Sequence, residues 1–142
     1  MPLKILFVCT GNTCRSPMAQ GMAVRLFGEG YTITSAGVAA APNAPASANA
    51  VAVMKERQID LASHQARRVT EALLLEADLI LTMTQSHKTA LVQAAADKIY
   101  TIGEYAGQKI SVSDPFGGDL EVYRACAEEI YGLLVMIKDK IL

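Results

Sequence analysis

No excess of one charge sign marks this chain: thirteen lysines and arginines face fourteen aspartates and glutamates, with no long basic run. Neither nucleic acid nor an anionic membrane surface is therefore expected as a partner, and Arg67 and Arg68 read as solvated or locally paired. No apolar stretch reaches membrane-spanning length, and the first residues run straight into a strand-like segment. No secretory leader is expected, and the cytoplasm is the default location. Three cysteines in such a compartment argue against a disulfide framework. Neither they nor the two histidines show metal-ligand spacing, so no metal and no cofactor is expected. Gly-Lys-Ser/Thr and G-x-G-x-x-G are missing, which sets aside P-loop nucleotide hydrolysis and dinucleotide binding. The length of 142 residues suits one domain, 1–142, monomeric by default, with enough core to cover both faces of a sheet.

What is present is an alternation of short apolar runs with helical periodicity. Residues 3–8 are too short and too uniformly apolar for an amphipathic helix and read as a buried parallel strand. A helix opens next, with Ser16 as its cap, Pro17 at the first helical position, and Met18, Met22, Leu26 and Phe27 on its apolar face. Strands follow at 31–35, 78–83 and 98–102. Helices are expected at 46–58, entered through Pro42-Asn43-Ala44-Pro45, then from a Thr70 cap to residue 76, at 84–95 and at 119–141. Ala50, Val51 and Met54 share one face of the first of these. In the last, Tyr123, Cys126, Ile130, Leu133, Leu134, Ile137 and Ile141 form a stripe that makes Cys126 a core residue. His87 opens the helix after the third strand and is expected at the surface. The pattern predicts an α/β fold: a four-stranded parallel sheet flanked by helices on both faces, flavodoxin-like, with right-handed crossovers.

The chemistry gathers in Cys9-Thr10-Gly11-Asn12-Thr13-Cys14-Arg15-Ser16, between the first strand and its helix. In that place the backbone N–H groups of Thr10 to Arg15 and the positive end of the helix dipole share one bowl, which suits a tetrahedral dianion. Arg15 adds a bidentate fork. The same field favours the thiolate of Cys9, the nucleophilic form, and Ser16 can donate a hydrogen bond to it. Asn12 suits a left-handed backbone turn that points an N–H inward. Attack by Cys9 on a bound phosphoryl group forms a phosphocysteine, which water then hydrolyses. The leaving group needs a proton, and Asp114-Pro115-Phe116-Gly117-Gly118 supplies a carboxylic acid on a loop able to fold over the bowl. Asp114 is the expected acid and later base, and Phe116 the wall beside the substrate.

C-x5-R-S near the N-terminus with Asp-Pro far downstream resembles the low-molecular-weight protein tyrosine phosphatase family. Ser35-Ala36-Gly37, His64-Gln65-Ala66-Arg67 and the run from Ala77 to Met83 fall in that family's order, so the resemblance covers essentially the whole chain. It implies the flavodoxin-like phosphatase fold, phosphorylated proteins as substrates, and Ser35 and His64 as supports of the loop. Tyrosine phosphatases of this family typically carry a bulky aliphatic residue where this loop has Thr13. Threonine there, with Asp-Pro-Phe-Gly-Gly, resembles the bacterial protein arginine phosphatases and makes Thr13 and Phe116 the expected specificity residues. That resemblance implies a role in reversing arginine phosphorylation in stress response and protein quality control; tyrosine phosphatase activity is the alternative. Cys9 and Cys14 share the loop and can form a reversible disulfide that protects the nucleophile. A thiol-relay arsenate reductase needs two further mid-chain cysteines that are not here. A non-catalytic phosphate-binding or redox-sensing module has no use for Cys9 and Asp114 together.

Overall fold

The central strand β1 (Leu3–Cys9) divides its side chains between two cores, as strand geometry requires. The computed structural model describes residues 3–141, side chains at 92–96 excepted. The ends of the expected 1–142 domain lie outside these. On one face Ile5, Phe7 and Cys9 join Leu79 and Leu81 of β3 (Leu79–Thr82) beneath three helices, α1 (Arg15–Phe27), α2 (Ala48–Glu56) and α6 (Leu120–Ile141). On the other, Leu6 and Val8 meet Ile80, with Leu74 from α3 (Glu71–Glu76) and Leu91 from α4 (Gln85–Ala95). Strands buried on both faces read as continuous apolar runs, which is why Ile5 to Cys9 show no polar alternation after the exposed Lys4.

The remaining strands are β2 (Tyr31–Gly37) and β4 (Ile99–Thr101), and the sheet is parallel throughout in the order β2-β1-β3-β4. From β1 the chain moves outward to β2 and then crosses back to β3 on the other side. The loop after β1 therefore opens at the point where strand order reverses, the position at which such sheets bind ligands.

β2 runs on to Gly37 rather than ending at 35 and β3 is shorter than 78–83, and three further differences from expectation have a local cause. Ser16 does not cap α1: the helix begins at Arg15 with Cys14 at the cap position and no side-chain cap, leaving the Ser16 hydroxyl free for the loop. The second helix is shorter than 46–58, because Ser47 caps it by accepting from the Ala50 N–H at 3.3 Å and Gln58 leaves helical space at φ 62°. The fourth strand stops at Thr101, which caps a one-turn helix, α5 (Ile102–Tyr105), in a reciprocal capping box with Glu104. The Thr-x-x-Glu signature of that turn was present in the sequence.

Phe7 is fully buried and Phe116 is 80% exposed. Phe7→Ala is expected to cost about 3–5 kcal/mol of unfolding free energy, whereas Phe116→Ala changes it by no more than about 0.5 kcal/mol. Urea titration of both variants checks the pair.

Candidate active site

Asn12 has φ 56°, the left-handed turn expected of it, and its side chain is fully buried. Every polar atom of that amide is used. Nδ2 donates to Ser16 Oγ at 2.8 Å and to Ser35 Oγ at 2.9 Å, while Oδ1 accepts from the Arg67 backbone N–H at 2.9 Å. The Ser35 hydroxyl in turn donates a hydrogen bond to Gln20 Oε1 at 2.6 Å. His64 Nε2 lies 2.7 Å from the Asn12 carbonyl oxygen, which makes that nitrogen the donor. Arg67 is exposed but locally paired, its Nε donating to the Ser35 carbonyl at 3.0 Å. Behind the loop, a Cβ placed on Gly37 would lie 2.5 Å from the Thr10 carbonyl oxygen and 2.8 Å from the Asn12 nitrogen. Only glycine allows β2 to approach that closely.

In front of the loop, Cys9, Thr10, Gly11, Thr13, Cys14, Arg15, Asp114 and Phe116 line a cleft of about 290 Å³. A larger hollow of about 430 Å³ lies elsewhere, between Gln20, Ile59, Asp60 and His64, and no cysteine lines it. Cys9 Sγ is 2.9 Å from Ser16 Oγ. Since Ser16 accepts from Asn12, its proton is available to the sulfur. Arg15 is 4% exposed; Nη1 donates to the Val112 carbonyl at 2.9 Å, and Nη2 stands 3.5 Å from Thr10 Oγ1 and 3.6 Å from Asp114 Oδ2. Asp114 is half exposed, and its Oδ1 accepts from the Phe116 N–H at 3.0 Å, a local turn that fixes the carboxylate at the mouth of the cleft. Asn49 of α2 reaches the Gly118 carbonyl at 3.2 Å and ties the far end of this turn to the opposite wall. The expected loop residues thus converge on one cleft, except that the Asn12 side chain faces away from it.

Cys14 is buried, with Sγ 3.2 Å from Tyr123 Oη and 3.5 Å from Ser47 Oγ, and all three cysteines are free thiols. Burial holds the Tyr123 phenol above its ordinary range. Cys126 is core, as expected, and burial pushes its thiol up to about 12, so it stays protonated. Among the described residues no cluster of three His, Cys, Asp or Glu side chains could hold a metal ion, and no helix is long and apolar enough to cross a membrane.

His87 departs from expectation. It is 5% exposed rather than superficial, with Nε2 2.9 Å from Thr10 Oγ1 and Nδ1 3.1 Å from Thr84 Oγ1. Thr84 precedes α4 and its hydroxyl accepts from the His87 N–H at 3.4 Å, so capping of the helix turns the ring inward. Burial, and then the charge of Arg15, push His87 from 6.5 down to about 4, with Asp114 opposing. The unfolded chain takes up this proton below about pH 6.5 and the folded chain does not until about pH 4, so stability falls as pH drops through that window. Melting temperatures recorded across it should fall more steeply for the wild type than for His87→Gln. Equal slopes would remove His87 as the cause.

Comparison with known proteins agrees with this geometry. The low molecular weight phosphotyrosine protein phosphatase family matches residues 4–138. A protein-arginine-phosphatase of Geobacillus stearothermophilus is 40% identical, covering 99% of this chain and 97% of the relative. A solved arginine phosphatase, a cysteine-to-serine mutant with a phosphorylated active-site serine, superposes with a TM-score of 0.92 at 37% identity, over 98% of this chain and 95% of its own. The low molecular weight protein tyrosine phosphatase of T. tengcongensis has a TM-score of 0.92 at 46% identity, over 97% and 99% of the two chains. The fold, the family match and these full-length relatives agree: the chain belongs to the low molecular weight phosphotyrosine protein phosphatase family and is a cysteine-based protein phosphatase.

Proposed function

We propose that this phosphatase acts on phosphoarginine in proteins through a phosphocysteine at Cys9. The observation that carries the reading is the position of Thr13, which lines the cleft with Cys9, Asp114 and Phe116. A planar, forked guanidine needs room close to phosphorus, and threonine gives it more than a branched aliphatic residue while offering a hydroxyl. Phe116, largely exposed at the rim, presents a flat apolar wall on which a guanidinium can stack.

The steps follow from the groups present. The Cys9 thiolate attacks phosphorus, the phosphorus–nitrogen bond breaks, and Asp114 delivers a proton to the departing nitrogen. Arg15 and the backbone N–H groups of Thr10 to Arg15 hold the equatorial oxygens. Asp114, now a carboxylate, takes a proton from water as that water attacks the phosphocysteine, and the thiolate leaves with inorganic phosphate released. The arginine phosphatases among the relatives support this reading, as does the phosphorylated serine of the cysteine-to-serine mutant. The tyrosine phosphatase of T. tengcongensis supports the alternative equally, so the substrate rests on Thr13. Reversal of arginine phosphorylation in the cytoplasm under stress is the role this activity serves in the proposal.

Phosphate release from phosphoarginine and phosphotyrosine proteins, measured side by side, tests the assignment. Wild type should favour phosphoarginine, and Thr13→Ile should shift the ratio of kcat/KM toward phosphotyrosine by about tenfold or more. A wild-type preference for phosphotyrosine defeats the substrate assignment, and turnover that survives Cys9→Ser defeats the mechanism.

We further propose a reversible Cys9–Cys14 disulfide, for which Cys14 must leave Tyr123 and Ser47. Mild peroxide followed by mass spectrometry should find the link, with activity restored by dithiothreitol; no link and no recovery would reject the switch.

A further inference from the structure

The nucleophile, the anion-binding arginine and the acid account for hydrolysis without His87, yet its ring is packed against the same machinery. It approaches from the first turn of α4, 77 positions from Thr10 in the chain, and both of its nitrogens have hydroxyl partners. Pushed down to about 4, the ring is neutral at neutral pH, with one N–H and one lone pair.

The two ends of the Arg15 guanidinium are held unequally. Nη1 has a short bond to the Val112 carbonyl at 2.9 Å, and the Val112 N–H in turn donates to Met83 at 3.0 Å, so this end is anchored on the chain just beyond β3. Nη2 has Thr10 Oγ1 at 3.5 Å and Asp114 Oδ2 at 3.6 Å. Arginine only donates, so Thr10 must present a lone pair, and a hydroxyl rotor presents one reliably only when something else fixes it. His87, at 2.9 Å, is positioned to fix it, and whether its nitrogen donates or accepts, the Thr10 oxygen keeps a lone pair for Arg15.

We propose that His87 is a positioning residue for phosphoryl transfer: by bonding the Thr10 hydroxyl it aims Thr10 Oγ1 at Nη2 of Arg15 and so orients the guanidinium fork toward the phosphoryl oxygens. This rests on the reading that Arg15 binds the phosphoryl group. Residues 83–87 then steady both ends of the guanidinium, Met83 through Val112 and His87 through Thr10. A neutral partner suits this place, because an imidazolium would set a second positive charge beside Arg15.

The test is a double-mutant cycle on the full chain. Hydrolysis of p-nitrophenyl phosphate, which is independent of the arginine-or-tyrosine question, and its inhibition by inorganic phosphate are measured for wild type, His87→Ala, Thr10→Val and the double variant. Each single variant is expected to lower kcat and to weaken inhibition by phosphate about five- to tenfold, the scale of one lost hydrogen bond. The double variant should be no worse than the weaker single, since both cut one link. His87→Gln, whose amide can still reach Thr10, should recover most of the loss. If His87→Ala does not fold, His87→Phe fills the same space without the hydrogen bond and takes its place in the cycle. Wild-type kinetics in His87→Ala or its His87→Phe substitute, or losses that multiply in the double variant, overturn the role of His87 while leaving the phosphatase reading intact. A wild type that neither hydrolyses the ester nor is inhibited by phosphate overturns both.

Discussion

Asn12 holds a left-handed turn with its amide buried among Ser16, Ser35 and the Arg67 backbone, and the shape of the anion loop depends on that arrangement. A left-handed residue other than glycine carries a conformational cost that persists only where the surroundings over-determine it. Here four polar atoms from three different stretches of chain do so, while Gly37 brings the β2 backbone against the loop from behind. Ser16 joins this network to chemistry, since the hydroxyl that accepts from Asn12 is the one beside Cys9. The support is connected directly to Cys9 rather than through intervening packing.

The electrostatics follow from the same packing. Arg15 is nearly inaccessible, and a buried guanidinium without partners would be costly. Its local partners are a carbonyl, a hydroxyl and one half-exposed carboxylate, fewer acceptors than its donors can use. Such a cation has donor capacity left for an anion in the cleft. His87, kept uncharged beside it, adds a hydrogen-bond partner without adding charge.

The parts read correctly from the sequence are those whose causes are local. An apolar run bounded by turn chemistry marks β1, and Thr70 caps α3 by accepting from Leu73 at 3.2 Å. The convergence of Asp114 on a loop a hundred residues earlier came from the chemical need for an acid and from family resemblance, not from any periodicity. The Ser16 bond to Cys9 is legible in the loop's chemistry, but a Ser-Pro pair also resembles a helix start, and the demand of Asn12 that takes the hydroxyl away from a cap operates only through the folded loop. His87 was misread for a related reason: its partner Thr10 lies on another strand's loop, and only the cap at Thr84 hints at which way the ring turns. The one-turn helix after β4 is legible in Thr101-x-x-Glu104, where the capping box sits at the very end of the strand.

Cys9 and Asp114 are seated on ground of unequal firmness. Cys9 and Asn12 are bonded to Ser16 of α1, Ser35 of β2 and the 64–67 segment, so the loop cannot open without losing several buried hydrogen bonds at once. Asp114 to Gly118 leaves Phe116 in solvent and is joined to its surroundings by few bonds. Local opening has a much lower free energy in such a segment than in a central strand. The cleft can therefore widen by displacing the Asp114–Gly118 wall alone, while the loop from Cys9 to Arg15 keeps its shape.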